Sequence, residues 1–304
     1  MGENSAIEWC DHSFNPWVGC QKVGPGCDHC YAEARDIRFE GGKHWGPHAP
    51  RRRTSPANWA QVRRWNRKAQ AFRAKHGHWP RVFCASLADI GDTSVDRAWH
   101  RDFWELVREC RDLRFILLTK RIGNMPALLP FGWLDGDFDH VGVMITIVNQ
   151  DEANRDVKKL VNLPMAGRQW RGISHEPALG GVDWSPWIAD LDWIIYGGES
   201  GPDARPTHPD WARADRDQCA AAGAAFMMKQ WGGWGPGHYS LSRYTALLDP
   251  ADGPRHGVNL GEPPHPSSFV HDWSDGYISI ARPKADTGRL LDGREHLQFP
   301  EVLA

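Results

Sequence analysis

The sequence contains no long apolar segment and no marked excess of one charge. It has no run of about 18 apolar residues, and its first 15 residues lack the basic start and apolar stretch of a secretory signal. With 36 Lys and Arg against 38 Asp and Glu, the net charge is −2. This balance excludes a uniformly basic nucleic-acid coat but not a local basic surface. We therefore expect a cytoplasmic protein without a membrane span.

Cysteine is scarce and its count is odd. Seven unevenly spaced cysteines argue against a disulfide framework, and in the cytoplasm they are expected to be mostly reduced. Tryptophan is abundant, with 17 residues, and the usual role of such rings is packing. With 304 residues, of which 41% are hydrophobic, the chain can bury a large core. We expect a single domain over residues 1–304, because an α/β barrel of this length is one domain.

Short apolar runs at long spacing form the main pattern of the chain. Seven runs, most containing β-branched or aromatic residues, have the length of buried parallel strands. They lie at residues 17–20, 82–87, 115–119, 141–148, 170–174, 193–196 and 225–229. Helical patterns lie between several of them, at residues 98–108, 153–163 and 209–222. This alternation predicts an α/β fold with a partial (β/α) barrel, and a doubly wound open sheet is the alternative.

Two segments depart from the alternation. Residues 41–81 contain 11 Lys or Arg, four His and four Trp but no Asp or Glu, and we interpret them as a basic helical insertion. Residues 231–304 are rich in Gly, Pro and His and show little periodicity. They predict an irregular C-terminal extension that wraps the barrel.

Polar residues follow most of the predicted strands. Because the carboxyl ends of parallel strands share one rim, where α/β enzymes place their chemistry, these residues are candidates for a site. The alternative is that strands simply end in polar loops. The residues are Ser86, Asp89, Thr119, Lys120, Arg121, Thr146, Asn149, Ser174, His175, Glu176, Gly198, Glu199, Ser200, Lys229 and Gln230.

Three cysteines, Cys20, Cys27 and Cys30, lie within 11 residues. Their C-x6-C-x2-C spacing includes the turn formers Gly24-Pro25-Gly26, which let the three thiolates converge. Thiolates are soft ligands that suit zinc or an iron–sulfur cluster.

The number of cysteines separates these two interpretations. A structural zinc ion requires a fourth ligand, for which Cys10, His12 and His29 are candidates. A [4Fe–4S] cluster on three cysteines instead leaves one iron open. That iron can bind the amino and carboxylate groups of S-adenosylmethionine.

The cysteine motif and several later motifs resemble the phage-associated three-Cys-motif proteins, an uncharacterised family. The first motif reads Phe-Asn-Pro-Trp-Val-Gly-Cys over residues 14–20 and Cys-Asp-His-Cys-Tyr-Ala-Glu over residues 27–33. Further matches lie at residues 117–121, 174–177, 196–201, 229–232 and 291–295. That family is similar to a distant branch of the radical S-adenosylmethionine superfamily. The superfamily usually has C-x3-C-x2-C, whereas the first gap here is six residues.

The resemblance implies a partial (β/α) barrel that binds a [4Fe–4S] cluster through Cys20, Cys27 and Cys30. It also implies S-adenosylmethionine as a cofactor, cleaved to a 5′-deoxyadenosyl radical, and a reductant such as flavodoxin or ferredoxin. We expect a nucleic acid or nucleotide substrate, with base modification or lesion repair as the reaction class. The alternatives are a zinc-stapled nucleic-acid-binding protein without catalysis and a radical enzyme that acts on a peptide or small metabolite.

Several other residues are candidates for cofactor binding. The superfamily has a Gly-Gly-Glu element that binds the methionine amino group, which suggests this role for the loop after the sixth predicted strand. Substrate contact and a tight turn are the alternatives for that loop. The resemblance also places an aromatic residue beside the adenine at Tyr31, and Glu176 is expected to hold ribose hydroxyls or the substrate. The full cofactor-binding set is Tyr31, Ser86, Thr119, Ser174, Glu176, Gly197, Gly198, Glu199 and Ser200.

The candidate catalytic residues are Cys84, Lys120 and Lys229. Lys120 and Lys229 lie at predicted strand ends, where a cation can hold a carboxylate or a phosphate. Ion pairing with an acid of the rim is the alternative for Lys120. Cys84 is a candidate hydrogen-atom donor, although a buried packing role is the more common one for a free cysteine.

The basic segment includes a predicted helix over residues 58–75. Cations with Trp59 and Trp65 between them suggest phosphate binding combined with base stacking. The alternative is a solvated helix face that its tryptophans hold against the barrel. The candidate nucleic-acid-binding residues are Arg51, Arg52, Arg53, Arg63, Arg64, Arg67 and Lys68.

Overall fold

A computed structural model describes residues 2–239, 245–248, 257–259 and 270–303. Its strands are β1 (His12–Phe14), β2 (Trp17–Val18), β3 (Arg52–Arg53), β4 (Arg81–Cys84), β5 (Arg114–Thr119), β6 (Val141–Thr146), β7 (Trp170–His175), β8 (Trp193–Gly197), β9 (Ala225–Gln230), β10 (Trp234–Tyr239), β11 (Thr245–Leu248), β12 (Gly257–Asn259), β13 (Val270–Asp272) and β14 (Ile278–Ala281). Its α-helices are α1 (Tyr31–Glu40), α2 (Pro56–His76), α3 (Arg97–Glu109), α4 (Gln150–Val161), α5 (Pro209–Ala222) and α6 (Lys284–Thr287). Short 3₁₀ turns occupy Pro25–Cys27, Ile122–Ala127, Ile188–Asp190 and Glu301–Leu303.

The central element is a curled sheet of seven parallel strands in the order β1-β4-β5-β6-β7-β8-β9. The order follows the chain without a reversal. A doubly wound sheet requires such a reversal, so the sheet is a partial barrel, as the sequence predicted.

Both faces of this sheet are buried, which explains the continuous apolar runs. In β6, Val143 and Ile145 pack outward against the helices, whereas Met144 points inward. The inner face also packs against both ends of the chain through Trp9 and Leu303. These contacts fill one part of the concave face and leave a cavity at the carboxyl ends of the strands.

The predicted helices lie close to their expected positions, and their ends have clear local causes. Asn149 caps α4 because its side chain accepts a hydrogen bond from the Glu152 amide. Helix α5 ends at Gly223, whose φ of 78° is the left-handed conformation that glycine favours. None of the helices in the described ranges has both the length and the apolar character that a membrane crossing requires.

Two expectations about the strands are wrong. The segment 17–20 is not the first barrel strand, because Trp17–Val18 pairs with Arg52–Arg53 in a separate two-stranded antiparallel sheet. The first barrel strand is instead His12–Phe14, whose polar residues His12 and Ser13 gave no apolar run. Pro16, just beyond it, lacks the N–H that a continuing ladder would need.

The C-terminal extension is not irregular. Within the described ranges, its strands form a five-stranded antiparallel sheet in the order β12-β11-β10-β14-β13. Residues 240–244, 249–256 and 260–269 of the extension lie outside the described part of the chain. Strand β10 was not predicted because Gly-Pro-Gly interrupts its apolar pattern.

Candidate functional site

A cavity of about 650 Å³ opens at the carboxyl ends of the barrel strands. Most of the predicted site residues line it, so the rim interpretation holds for the placement of these side chains. The predicted residues that line the cavity are Cys20, Cys27, Cys30, Tyr31, Ser86, Thr119, Lys120, Ser174, Glu176, Gly198, Glu199, Ser200 and Lys229.

The cysteine loop forms one wall of this cavity. Cys20, Cys27 and Cys30 are all free thiols, and Cys30 lies directly before the first turn of α1. The loop packs tightly against the strand ends, since a Cβ added to Gly26 would lie 2.7 Å from Cγ1 of Val148. Glycine at this position therefore permits the close approach of the loop to the rim.

The three thiols fit a cluster better than a closed zinc site. Cys10 is buried between the sheet and the chain termini, and His12 stacks on Trp65 with ring centroids 4.4 Å apart. His29 lines the cavity, but its Nδ1 lies 3.1 Å from Oε2 of Glu199. Within the described ranges, no group of three or more His, Cys, Asp or Glu side chains is close enough to hold a single metal ion.

Arg121 contacts the first cysteine. Its Nη1 lies 3.3 Å from Sγ of Cys20, and its Nη2 donates to the Gln21 carbonyl at 2.8 Å. Burial raises the pKa of Cys20 to about 11, an effect that Asp89 increases and Arg121 opposes. A guanidinium here would stabilise a sulfur ligand that carries negative charge.

Asp89 organises the end of β5. Its carboxylate accepts hydrogen bonds from Oγ1 of Thr119 at 2.5 Å and from the Lys120 amide at 2.9 Å, and it pairs with Arg121 at 3.0 Å. The Thr119 hydroxyl is therefore engaged within the protein. Lys120 differs, because no carboxylate lies within 4 Å of its ammonium in the part of the chain that the structure describes.

Glu199 is buried and already paired. Arg205 contacts it at two points, with Nη2–Oε1 at 2.7 Å and Nε–Oε2 at 2.9 Å. The same guanidinium reaches Oδ2 of Asp28 at 3.0 Å and the Pro25 carbonyl at 2.9 Å, both in the cysteine loop. Burial opposes ionisation of Glu199, but the hydrogen bonds from Arg205 outweigh it and lower the pKa. Arg205 was not predicted, because its partners in the cysteine loop, Asp28 and Pro25, lie 177 and 180 residues away in the sequence.

Glu176 and Lys229 form an ion pair inside the cavity. Nζ of Lys229 lies 2.5 Å from Oε1 of Glu176, and Nε2 of Gln230 lies 3.3 Å from the same oxygen. The Glu176 side chain packs closely on Gly197, because an added Cβ at Gly197 would lie 3.0 Å from Cδ of Glu176. Gly197 therefore accommodates Glu176 without itself lining the cavity.

Tyr31, Ser86 and Gly198 contact other parts of the protein. The Tyr31 hydroxyl donates to the Ser86 carbonyl at 2.6 Å, and Oγ of Ser86 accepts from Nδ2 of Asn15 at 3.0 Å. An added Cβ on Gly198 would lie 1.9 Å from the Trp231 carbonyl oxygen. Gly198 thus lets the backbone pass close to Trp231 of the same chain.

Cys84 does not belong to the cavity. Its side chain is fully buried and packs outward with Val82, while Phe83 between them faces the barrel interior. Burial raises the pKa of the Cys84 thiol well above its usual value. The structure thus gives Cys84 a packing position and removes it as a hydrogen-atom donor to a ligand in this cavity.

The basic residues do not form one surface. Arg51 is buried, with Nε 2.7 Å from Oδ2 of Asp92, so its guanidinium is not available to phosphate. Trp59 and Trp65 are also buried and cannot stack on bases. Arg52, Arg53 and Arg63 pair with acids from other segments, namely Glu40, Asp102 and Glu109.

Three predicted cations of α2 remain exposed, Arg64, Arg67 and Lys68. No ion pair involves them within the described residues. They do not line the cavity, so any nucleic acid that they contact would extend beyond its mouth.

Several solved structures of spore photoproduct lyase are similar to this chain at low identity. A mutant with dinucleoside spore photoproduct is 12% identical with a TM-score of 0.42, covering 93% of this chain and 71% of that chain. A mutant with bound AdoMet and dinucleoside spore photoproduct is 12% identical with a TM-score of 0.40, covering 92% and 73%. Similarity at this level supports no conclusion about the activity of this chain.

No curated protein matches the sequence. A family model does match, over residues 4–300 and thus nearly the whole chain. The chain belongs to the family described as "Protein of unknown function (DUF5131)".

Proposed function

We propose that this chain is a radical S-adenosylmethionine enzyme whose Cys20, Cys27 and Cys30 hold a [4Fe–4S] cluster. The observation that carries the proposal is the position of three free thiols in one wall of a large cavity at the carboxyl ends of parallel strands. Of the candidate fourth zinc ligands, Cys10 is buried against the chain termini, His12 stacks on Trp65, and His29 already contacts Glu199 through Nδ1. Three protein ligands leave one iron of such a cluster open for a small molecule.

When bound and reduced, the cluster supplies the electron for cleavage of the sulfur–C5′ bond of S-adenosylmethionine, which starts radical chemistry on a substrate. The protein would supply the binding, the orientation and the exclusion of water. Arg121 holds the start of the cysteine loop through Cys20 and Gln21, and Arg205 holds its second half through Pro25 and Asp28. A reductant such as flavodoxin or ferredoxin would complete the system.

The cavity has the size and the polar groups that suit a large polar cofactor. Its volume of about 650 Å³ lies within the usual range for ligand sites. Two buried atoms of its lining have no hydrogen-bond partner within the described residues, Oγ1 of Thr146 and Oε1 of Gln230. Buried polar atoms without a partner are costly, so a ligand that satisfies them would be stabilised there.

A nucleic acid or nucleotide is the proposed substrate, with base modification or lesion repair as the reaction class. Support comes from the exposed cations Arg64, Arg67 and Lys68 of α2, which have no acidic partner within the described residues. This support is limited to phosphate contact, since the nearby tryptophans are buried. A peptide or a small metabolite is the competing substrate class.

The proposal is tested by the metal content of cysteine variants after anaerobic reconstitution. The wild-type protein should contain about four iron and four sulfide per chain and absorb broadly near 400 nm. Cys20→Ala, Cys27→Ala and Cys30→Ala should each lose most of the iron, whereas the buried Cys110→Ala should keep it. One zinc per chain and no bound iron in the wild-type protein would contradict the proposal.

A further inference from the structure

In addition to Oγ1 of Thr146, three polar groups in the cavity have no partner among the described residues. They are the Lys120 ammonium, Oε2 of Glu176 and Oε1 of Gln230, for which no hydrogen bond is found among the described residues. One is a cation and two are acceptors, and they lie at the carboxyl ends of the alternate strands β5, β7 and β9. A ligand complementary to them would carry an anionic group and a cationic N–H donor.

Lys120 lies beside the cysteine loop. A Cβ added to Gly26 would lie 3.5 Å from Cε of Lys120 and 3.8 Å from Cδ of Pro177. The Lys120 side chain and the segment that follows Glu176 thus both lie beside Gly26 of the cysteine loop. An unpaired ammonium at this point favours a carboxylate.

The amide of Gln230 has a fixed orientation. Its Nε2 donates to Oε1 of Glu176 and to the Gly198 carbonyl at 3.2 Å, so both amide hydrogens are used. The amide oxygen is left as a buried acceptor that lines the cavity. Glu176 supplies a second acceptor, because Lys229 and Gln230 both contact Oε1 and leave Oε2 open.

Glu199, which the Gly-Gly-Glu resemblance assigned to an ammonium group, is poorly suited to it. Both of its oxygens already accept from Arg205, and His29 contacts Oε2. A ligand amino group would compete there with a two-point guanidinium pair, which is among the stronger hydrogen-bonded ion pairs in proteins.

We infer that the α-amino-acid end of S-adenosylmethionine binds to Lys120, Glu176 and Gln230 rather than to Glu199. The carboxylate of the ligand contacts the Lys120 ammonium. Its amino group donates N–H hydrogen bonds to Oε2 of Glu176 and Oε1 of Gln230. This assignment rests on the proposed function.

Dissociation constants measured on the reconstituted holoprotein test the assignment. The probes are S-adenosylmethionine, its decarboxylated form, which lacks the carboxylate, and methionine, which lacks the ribose. The change in the electron paramagnetic resonance spectrum of the reduced cluster on ligand addition is a second readout that does not require turnover.

Lys120→Met should weaken the binding of S-adenosylmethionine about tenfold and leave the binding of the decarboxylated form unchanged. Only S-adenosylmethionine has the carboxylate that Lys120 contacts. Lys43→Met, which removes an exposed lysine outside the cavity, should change neither. An equal loss for both probes in Lys120→Met would overturn the role of Lys120.

Glu176→Gln should weaken all three probes about tenfold, since each retains the ammonium. A weaker affinity for S-adenosylmethionine with an unchanged affinity for methionine would show that Glu176 holds ribose hydroxyls. That result would overturn the assignment of Glu176 to the amino group. Because Glu176→Gln leaves Lys229 without its partner, the double variant Glu176→Gln/Lys229→Gln checks that the loss is not a folding defect. Thermal unfolding of each variant is measured alongside.

Glu199→Gln distinguishes binding of the ligand's amino group by Glu176 from binding by Glu199. We expect it to lower the cluster content but to leave the affinity per bound cluster unchanged. A tenfold weaker affinity per cluster in Glu199→Gln, with none in Glu176→Gln, would overturn the inference alone. A wild-type holoprotein that holds its cluster but binds none of the probes would instead overturn the proposed function.

Discussion

Arg205 and Glu199 form a two-point ion pair, with Nη2–Oε1 at 2.7 Å and Nε–Oε2 at 2.9 Å, that joins the rim after β8 to the cysteine loop. The connection is made because the same guanidinium also contacts Asp28 and the Pro25 carbonyl. Those contacts lie between Cys20 and Cys30. Arg205 is therefore a positioning residue for the loop that would hold the cluster.

Arg205→Ala should loosen the cysteine loop without unfolding the barrel. Loss of these charge-assisted hydrogen bonds, discounted for partial exposure, should speed backbone hydrogen exchange over residues 20–30 about tenfold. Exchange in β5 and β6 should not change. Arg63→Ala, which removes the exposed ion pair between α2 and Glu109, is the control. Equal exchange over residues 20–30 in both variants would contradict the positioning role.

The Glu199 pair should lose its contribution to stability in acid. Its folded pKa is lowered from the usual 4.5, because the hydrogen bonds from Arg205 outweigh the effect of burial. A lowered carboxyl pKa stabilises the folded state above pH 4.5, and this contribution disappears as pH falls through the folded pKa. The difference in melting temperature between the wild type and Glu199→Gln should be constant from pH 7 to about 5 and shrink below it. A difference that grows in acid would be inconsistent with this pairing.

A second pH dependence of stability is expected from His140, which lies at the opposite end of the barrel. Burial, together with Arg114 and Arg111, lowers the pKa of His140 from 6.5 to about 4. As pH falls from 6.5 towards 4, the unfolded chain gains a proton that the folded protein does not, so stability decreases. At pH 5 the loss is about 2 kcal/mol. Denaturant unfolding should show this loss in the wild type but not in His140→Gln, and an identical pH profile would refute it.

Neutralising the three exposed cations of α2 should weaken nucleic-acid binding and reduce its salt dependence. The slope of log affinity against log salt should fall by about 2 to 3, because about 0.7 to 0.9 counterions are released per phosphate contact. The variant replaces Arg64, Arg67 and Lys68 with Gln, and the matched control replaces Arg155, Lys158 and Lys159 on α4 with Gln. Fluorescence anisotropy with a labelled oligonucleotide measures both, and equal slopes would exclude α2 from the binding surface.

Local pattern predicted most of the barrel because its strands are buried on both faces. Residues 141–148 and 193–196, for example, are continuous apolar runs of strand length, and the structure has β6 and β8 there. Polar residues at the ends of such strands necessarily share one rim. This is why Lys120, Glu176 and Lys229 were correctly placed in one region.

Pairing between distant segments could not be predicted in the same way. The segment that contains Arg51 has no acid of its own, yet Arg51 is buried against Asp92, 41 residues further along the chain. The contacts of Arg205 with Asp28 and Pro25 likewise join segments that are 177 and 180 residues apart. Cys84 is different, because the alternation in β4 could have shown that it points away from the barrel interior.

Incubation of the reconstituted, reduced holoprotein with S-adenosylmethionine tests the central claim most directly. Liquid chromatography with mass detection should find 5′-deoxyadenosine and methionine in equal amounts, and Cys27→Ala should form neither. An intact cluster that yields no 5′-deoxyadenosine, with or without a damaged oligonucleotide present, would contradict radical S-adenosylmethionine chemistry on a nucleic acid in this protein.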